Sequence, residues 1–178
     1  MTTVTANPFA ALNLPRAFRL TPDALAAALR EHARAWHPDR FVKAGARERR
    51  EALERSTAAN DARRRLERWP SRAAALLVLA GVAVPEGAAA AGPDFLEAQL
   101  ELREGLQAAT AAGDVAALAR LRADVSARLG ALEAEAAALF DEPAWPERHA
   151  GALGGLVVRA RFLEAVLADA SRASPLGT

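Results

Sequence analysis

Residues 30–45, REHARAWHPDRFVKAG, contain the break that decides the fold. Four side chains recur at 4-3-4 spacing before this break and predict a helix with one inner stripe: Leu25, Leu29, His32 and Trp36. Pro38 ends that helix, because proline cannot donate a backbone hydrogen bond and its ring pushes the preceding residue out of helical dihedrals. These rules explain Pro38 but require neither His37 nor Asp39. Both are therefore candidates for a functional role of the loop.

The composition is typical of a globular protein without disulfide chemistry. The chain has 178 residues, of which 52% are hydrophobic and 25% charged, and this length is sufficient for a hydrophobic core. It has no cysteine, which excludes disulfides, thiol nucleophiles and cysteine-ligated metals and suits a reducing compartment. The first residues show no basic segment followed by an apolar run, so we expect no secretory signal. The apolar run 73–84 is too short to span a bilayer.

Charge is distributed unevenly between the two halves of the chain. Residues 1–80 hold 15 Arg and Lys against 8 Asp and Glu, a net charge of +7. Residues 81–178 hold 8 against 14, a net charge of −6. Halves of opposite sign usually face different partners, which suggests two binding functions.

The hydrophobic periodicity predicts an all-α chain, because alternating strands, β-branched clusters and hairpin turns are nearly absent. Thr21 is predicted to cap the helix that ends at Trp36. Beyond the loop, a long charged helix is predicted from about residue 47 to residue 68. A break at 69–71 follows, and a short apolar helix over 71–80 is predicted to end at Gly81.

The second half is predicted to form an antiparallel three-helix bundle over residues 93–170. A segment of proline, glycine and alanine without periodicity, residues 84–92, precedes it and is predicted to be a linker. Gly113 ends the first bundle helix, and Asp114 caps the second, whose apolar residues recur at spacings of three and four. Residues 141–149 break the pattern before the last helix. Short turns between helices favour an antiparallel arrangement.

The two helices around the His-Pro-Asp loop resemble a J-domain, with AWHPDRF at residues 35–41 in the position of its signature. The resemblance implies a module over residues 7–83 that docks on a DnaK-type chaperone and accelerates ATP hydrolysis there. Pro38 would present its neighbours in a rigid turn, and the Asp39 carboxylate would pair with an arginine of the chaperone. Arginines one turn apart on the preceding helix add positive potential for an acidic partner. The expected chaperone-binding residues are His37, Pro38, Asp39, Arg30, Arg34 and Arg40.

Four further segments occur in the order and spacing of the HscB family, the J-domain co-chaperones for iron–sulfur cluster assembly. They are NPFAALNLPRAFRL (7–20), STAAND (56–61), SRAAALLVLAG (71–81) and FLEAQLELREGL (95–106). The resemblance extends over roughly residues 7–167. It implies an N-terminal J-domain followed by a C-terminal three-helix bundle. The partners it implies are an HscA-like chaperone and an IscU-like iron–sulfur scaffold.

The first bundle helix carries more apolar surface than a bundle needs. One inward stripe is formed by Phe95, Ala98, Leu102 and Leu106. Leu96, Leu100 and Glu104 form a second ridge, which is typical of a protein-binding patch. The family places its scaffold-binding surface at positions that correspond here to Leu96, Leu100, Glu101, Glu104 and Phe162. We expect the two leucines and Phe162 to form an exposed apolar patch; the alternative, that they are core residues, stays open.

Other functional classes find little support in the residue pattern. The only histidines are His32, His37 and His149, and no paired carboxylates, phosphate loop or Ser/His constellation can be assembled. We therefore expect no enzyme, no cofactor and no metal. His32 is predicted to be a partly buried packing residue, and His149 a solvated loop residue.

Two alternatives for the binding function remain. The chain could be a J-domain co-chaperone for a different client, against which only the segment 95–104 argues. It could also bind nucleic acid through its basic half and Arg63-Arg64-Arg65, although no aromatic interleaving accompanies them. A strongly salt-dependent affinity would support that alternative. Eukaryotic HscB relatives carry a cysteine-rich zinc segment and a transit peptide, neither of which is seen here, so a bacterial cytoplasmic location is expected.

Overall fold

The computed structural model describes residues 7–87 and 92–173, and all regular elements in those ranges are helical. The N-terminal part contains α1 (Pro8–Ala11), α2 (Pro22–Trp36), a 3-10 turn (Pro38–Phe41), α3 (Ala46–Glu67) and α4 (Trp69–Leu79). The C-terminal part contains α5 (Pro93–Ala111), α6 (Val115–Asp141), α7 (Trp145–Arg148) and α8 (Ala150–Ala173). The chain divides into two compact units between Gly81 and Val82. The predicted all-α class is confirmed.

Capping residues explain where several helices begin and end. The side chains of Thr21 and Asp114 each accept a hydrogen bond from the backbone N–H three residues later, at 3.2 and 2.8 Å. A cap of this kind is worth about 1 kcal/mol. Gly81 and Gly113 follow the ends of α4 and α5 with φ of +80° and +63°, in the left-handed region where glycine has no Cβ penalty. The capping pattern read from the sequence therefore sets these boundaries.

One helix boundary differs from the prediction. Residues 69–71 do not interrupt the helical structure as predicted, because α4 already begins at Trp69. The change of direction takes place at Arg68 alone, whose backbone is extended (φ −93°, ψ 120°). Pro70 fits the first turn of α4, where its missing N–H would have no partner within the helix.

The N-terminal core is built around α3, against which α1, α2 and α4 pack. Its largest members are Phe9, Leu12, Phe18, Leu25, Leu66, Trp69, Leu76 and Leu77. On α2 the predicted inner stripe is buried at Leu25, but Leu29, His32 and Trp36 are only partly buried. Burial on this helix therefore decreases toward the loop, so the His-Pro-Asp segment lies at the surface of the unit.

The C-terminal core lies between α5, α6 and α8, as predicted for the three-helix bundle. Its central buried side chains are Leu102, Val125, Leu163 and Val166. Partly buried residues from all three helices pack against them: Leu106, Leu121, Leu129, Leu132, Phe162 and Leu167. The predicted break at 141–149 contains the short helix α7, which Ala144 precedes in a left-handed conformation (φ 56°).

The chain just after Gly81 packs on the last helix of the bundle. A Cβ atom added at Gly154 would lie 2.8 Å from Cδ of Pro85, closer than real Cβ contacts come. Glycine at this position of α8 thus allows the Pro85 ring to approach the helix backbone.

Residues 84–87 of the predicted linker 84–92 form no helix or strand, and residues 88–91 lie outside the described residues. Among the helices described, none is long and apolar enough to cross a bilayer.

Candidate functional site

The His-Pro-Asp segment forms a capped turn. The residue before Pro38, His37, takes extended dihedrals (φ −63°, ψ 129°), as the proline requires. Its ring Nδ1 then accepts a hydrogen bond from the backbone N–H of Asp39 at 3.3 Å. The backbone N–H of Arg40 donates to the His37 carbonyl at 3.0 Å. His37 therefore both ends α2 and caps the 3-10 turn that follows.

The polar side chains of this turn face the solvent. His37 is 55% exposed and Asp39 is 86% exposed. With Nδ1 acting as the acceptor, the neutral His37 ring carries its proton on Nε2 and can donate it to a partner. The Asp39 carboxylate can accept from a cationic donor. The loop thus presents a donor and an acceptor side by side, while Pro38 is partly buried.

The arginines predicted to bind the chaperone are all exposed. Arg30 and Arg34 lie four residues apart on α2 and so share one face, and Arg40 lies in the 3-10 turn. Arg34 also lies 3.6 Å from the Glu31 carboxylate, a pair that is exposed to solvent and therefore weak. These side chains remain available for an acidic partner surface.

The sequence did not predict the contacts that support the loop on the side of α3. The Trp36 indole stacks on the Phe41 ring, with centroids 5.8 Å apart and an interplanar angle of 3°. The guanidinium carbon of Arg55 lies 3.7 Å from the Trp36 ring centroid. Glu51 holds this guanidinium at 2.7 Å, and the backbone carbonyl of Arg55 lies 3.1 Å from Nε2 of His32. We call these five residues the loop brace.

A sequence signal for part of the loop brace exists. Glu51 and Arg55 form an acid–arginine pair at i, i+4, which indicates a side-chain contact on one helix face. Nothing in the local sequence connects that pair to Trp36, since the contact crosses from α2 to α3. His32 is a partly buried packing residue, as predicted, and its ring also makes a hydrogen bond to α3.

The predicted second ridge on α5 is exposed. Leu96 and Leu100 are 50% and 59% exposed, and Glu104 follows one turn further on the same face. Glu101 is exposed as well, but at about 100° per residue it lies on a different side of α5 from Leu96. The structure therefore brings Leu96, Leu100 and Glu104 together on one face, and Glu101 flanks this face beside Glu104, about 60° around the helix. We call Leu96 and Leu100, with Glu104, the leucine ridge.

Phe162 is not fully exposed as the patch prediction required. Its ring is partly buried and packs edge-on against buried Phe95, with centroids 5.5 Å apart and an interplanar angle of 86°. The Arg103 guanidinium lies 5.5 Å from its centroid. Phe162 of α8 therefore packs against α5 and the bundle core. It is a packing residue that remains partly exposed.

His149 is less exposed than predicted. Its side chain is only 21% exposed, and its Nε2 lies 2.9 Å from an Oε2 oxygen of Glu142 across the turn between α6 and α8. This hydrogen bond, the charge of His149 and that of Arg148 hold the pKa of Glu142 below its ordinary value of 4.5. The pair ties the two ends of the turn together. No group of three or more possible metal ligands occurs among the described residues.

Comparisons with known proteins cover both parts of the chain. Residues 91–171 match the family of the HSCB C-terminal oligomerisation domain. The solved structure of the chaperone HscB from Vibrio cholerae is similar with a TM-score of 0.78 and 29% identity, covering 93% of this chain and 96% of that one. The crystal structure of the human co-chaperone protein HscB has a TM-score of 0.81 and 22% identity, covering 95% and 82% of the two chains.

Proposed function

Since this chain belongs to the HscB family, we propose that it is a co-chaperone with two separate partner sites. Its N-terminal unit docks on a DnaK-type, HscA-like chaperone and accelerates ATP hydrolysis there. Its C-terminal bundle holds an IscU-like iron–sulfur scaffold and delivers it to that chaperone. The observation that carries the proposal is the exposed pair of His37 and Asp39 in a capped turn at the end of α2.

The charge of the N-terminal unit supports the chaperone step. The exposed carboxylate of Asp39 is suited to a charge-assisted hydrogen bond with an arginine of the chaperone. Arg30, Arg34 and Arg40 supply positive potential, which speeds encounter with an acidic surface and favours the correct orientation. A turn that is already ordered loses little conformational entropy on binding. The loop therefore combines polar contacts with a low cost of ordering.

The leucine ridge supports the scaffold step. Two exposed leucines one turn apart can enter a hydrophobic groove as anchors, and buried aliphatic anchors dominate many interfaces. Glu104 at the end of the ridge, and Glu101 on the adjacent side of α5, add acidic groups for orientation. Phe162 contributes the exposed part of its side chain and supports the packing of α5 against α8.

An ATPase assay with the purified HscA-like chaperone tests this function. We expect the wild-type chain to raise the rate of ATP hydrolysis and the scaffold to raise it further. Asp39→Asn is expected to give no stimulation, whereas Asp61→Asn, an exposed aspartate on α3, serves as the matched control. Full stimulation by Asp39→Asn would rule out the proposed use of the loop.

The identity of the partners is tested separately by a pull-down from bacterial extract with identification by mass spectrometry. Recovery of a DnaK-type chaperone together with an iron–sulfur scaffold supports the proposal. Recovery of a DnaK-type chaperone with an unrelated client would instead indicate a J-domain co-chaperone of another pathway.

A further inference from the structure

The loop brace joins three segments that the sequence keeps apart. Trp36 is the last residue of α2, Phe41 closes the 3-10 turn, and Arg55 lies in the middle of α3. The indole contacts both the Phe41 ring and the Arg55 guanidinium. These contacts therefore help to set the position of the turn relative to α3.

Arg55 is the residue through which the loop brace is attached to α3. Its side chain lies on the indole, and Glu51 fixes the guanidinium at 2.7 Å from one turn earlier. Its backbone carbonyl lies within hydrogen-bond distance of His32, at 3.1 Å, one turn before Trp36 on α2. The end of α2 is thus tethered to α3 twice, by the side chain and by the main chain of the same residue.

We propose that Arg55 is a positioning residue that holds the His-Pro-Asp loop in the orientation in which it docks. This inference rests on the proposed chaperone function and assigns a role to a side chain outside the loop itself. Arg55 acts through Trp36, because a guanidinium over the indole stabilises one placement of that ring. The indole in turn supports Phe41, which is part of the turn that presents His37 and Asp39.

The matched comparison within the chain is the Asp124–Arg128 pair on α6. It has the same i, i+4 spacing, an N–O distance of 2.9 Å, and arginine exposure of 49%, the same as for Arg55. In the part of the chain that the structure describes, Arg128 lies over no aromatic ring. Arg128→Ala therefore removes an equivalent helix-surface ion pair without removing a ring contact.

The experiment compares the wild type with Arg55→Ala, Arg55→Lys and Arg128→Ala in the full chain. The first readout is the ¹⁵N–¹H spectrum of the three tryptophan indoles, with the Trp36 resonance identified by Trp36→Phe. We expect Arg55→Ala to shift the Trp36 resonance and to speed amide exchange in residues 39–44, while Arg128→Ala does neither. Arg55→Lys should be intermediate, because an ammonium keeps the charge but not the planar stacking.

The second readout is stimulation of the HscA-like ATPase as a function of co-chaperone concentration. Arg55→Ala should raise the half-maximal concentration about five- to tenfold, the range expected for a lost, partly desolvated cation–π contact, and leave the plateau near the wild-type value. Asp39→Asn should instead lose the plateau itself. A change in the half-maximal concentration therefore reports on the positioning of the loop, and a change in the plateau reports on the contact that the loop makes with the chaperone.

The outcomes separate this inference from the proposed function. A wild-type chain that gives no stimulation refutes the proposed function. The role of Arg55 in holding the loop is then tested by amide exchange alone. Faster exchange in Arg55→Ala supports this role, and unchanged exchange overturns it. If the wild type stimulates, an unchanged half-maximal concentration in Arg55→Ala overturns the positioning role. An unshifted Trp36 resonance overturns it as well.

Discussion

The His-Pro-Asp loop and the leucine ridge are both exposed, but they are held in place by different means. The loop consists of polar groups on a short turn, and contacts from α3 support it from behind. The leucine ridge projects from the continuous helix α5, whose own backbone hydrogen bonds fix the spacing of its side chains. A site on a loop thus depends on residues far away in sequence, whereas a site on a helix depends mainly on its own residues.

Substitutions in the His-Pro-Asp loop are expected to have the largest effect, because they remove the contact with the chaperone. Asp39→Asn and His37→Gln should each abolish stimulation of the chaperone ATPase and leave scaffold binding unchanged. Polar substitutions at exposed sites typically change the free energy of unfolding by no more than about 0.5 kcal/mol, so the melting curve of Asp39→Asn should coincide with the wild type. His37→Gln also loses the Nδ1 cap of the turn and should melt slightly lower. Loss of scaffold affinity in Asp39→Asn would show that the two sites are not separable.

Substitutions in the leucine ridge are expected to have the reciprocal effect, a loss of scaffold binding. Leu96→Ala and Leu100→Ala should each weaken scaffold binding roughly 30-fold, which corresponds to about 2 kcal/mol for a buried interface anchor. Basal ATPase stimulation should persist. Val115→Ala, at an exposed valine of the same unit, is the matched control. Isothermal calorimetry with the scaffold measures the effect, and undiminished affinity in the Leu96 and Leu100 variants would place the scaffold site elsewhere.

Phe162 differs from Leu96 and Leu100, because it takes part in the bundle packing as well as in the candidate scaffold site. Its substitution should therefore change stability. Phe162→Ala should lower the free energy of unfolding by about 2 kcal/mol, roughly half the cost at a fully buried phenylalanine. Urea titration checks this value. Phe162→Leu keeps an apolar contact to Phe95 and should lose clearly less. If Phe162→Ala were as stable as the wild type, the ring would contribute nothing to the packing of α5 on α8.

The smallest effect concerns the Glu142–His149 pair in the turn between α6 and α8. Because the pKa of Glu142 is lowered in the folded chain, its ionised form stabilises the fold above pH 4.5, and this contribution is lost as the pH falls through the folded pKa. Glu142→Gln should therefore be less stable than the wild type at neutral pH, and the difference should shrink below pH 4.5. Chemical denaturation from pH 7 to pH 3 measures it, with Glu147→Gln as the control; a difference that grows in acid would contradict this assignment.

The sequence was sufficient for features that depend on local rules. Helix boundaries at Thr21, Gly81 and Asp114 follow from capping and left-handed backbone, and the end of α2 follows from Pro38. The leucine ridge was found because Leu96 and Leu100 exceed the single apolar stripe that a bundle helix needs.

Features that depend on packing between distant segments could not be predicted. The spacing of Phe162 on α8 does not reveal that Phe95 of α5 covers one side of its ring. The same limit applies to Arg55, whose indole partner lies on another helix. His149 and Glu142 are only seven residues apart, but their contact depends on the irregular turn between α6 and α8, whose shape no helical period predicts. In each case the decisive neighbour is brought in by the tertiary fold.

The contact between Pro85 and Gly154 bears on how the protein can be divided for experiments. A fragment that starts at residue 93 would leave the surface of α8 at Gly154 without the Pro85 ring that covers it. The same contact opposes Gly154→Ala, a change that elsewhere in a helix would gain about 1 kcal/mol. An excised C-terminal domain should therefore begin at Val82, where the compact unit itself begins.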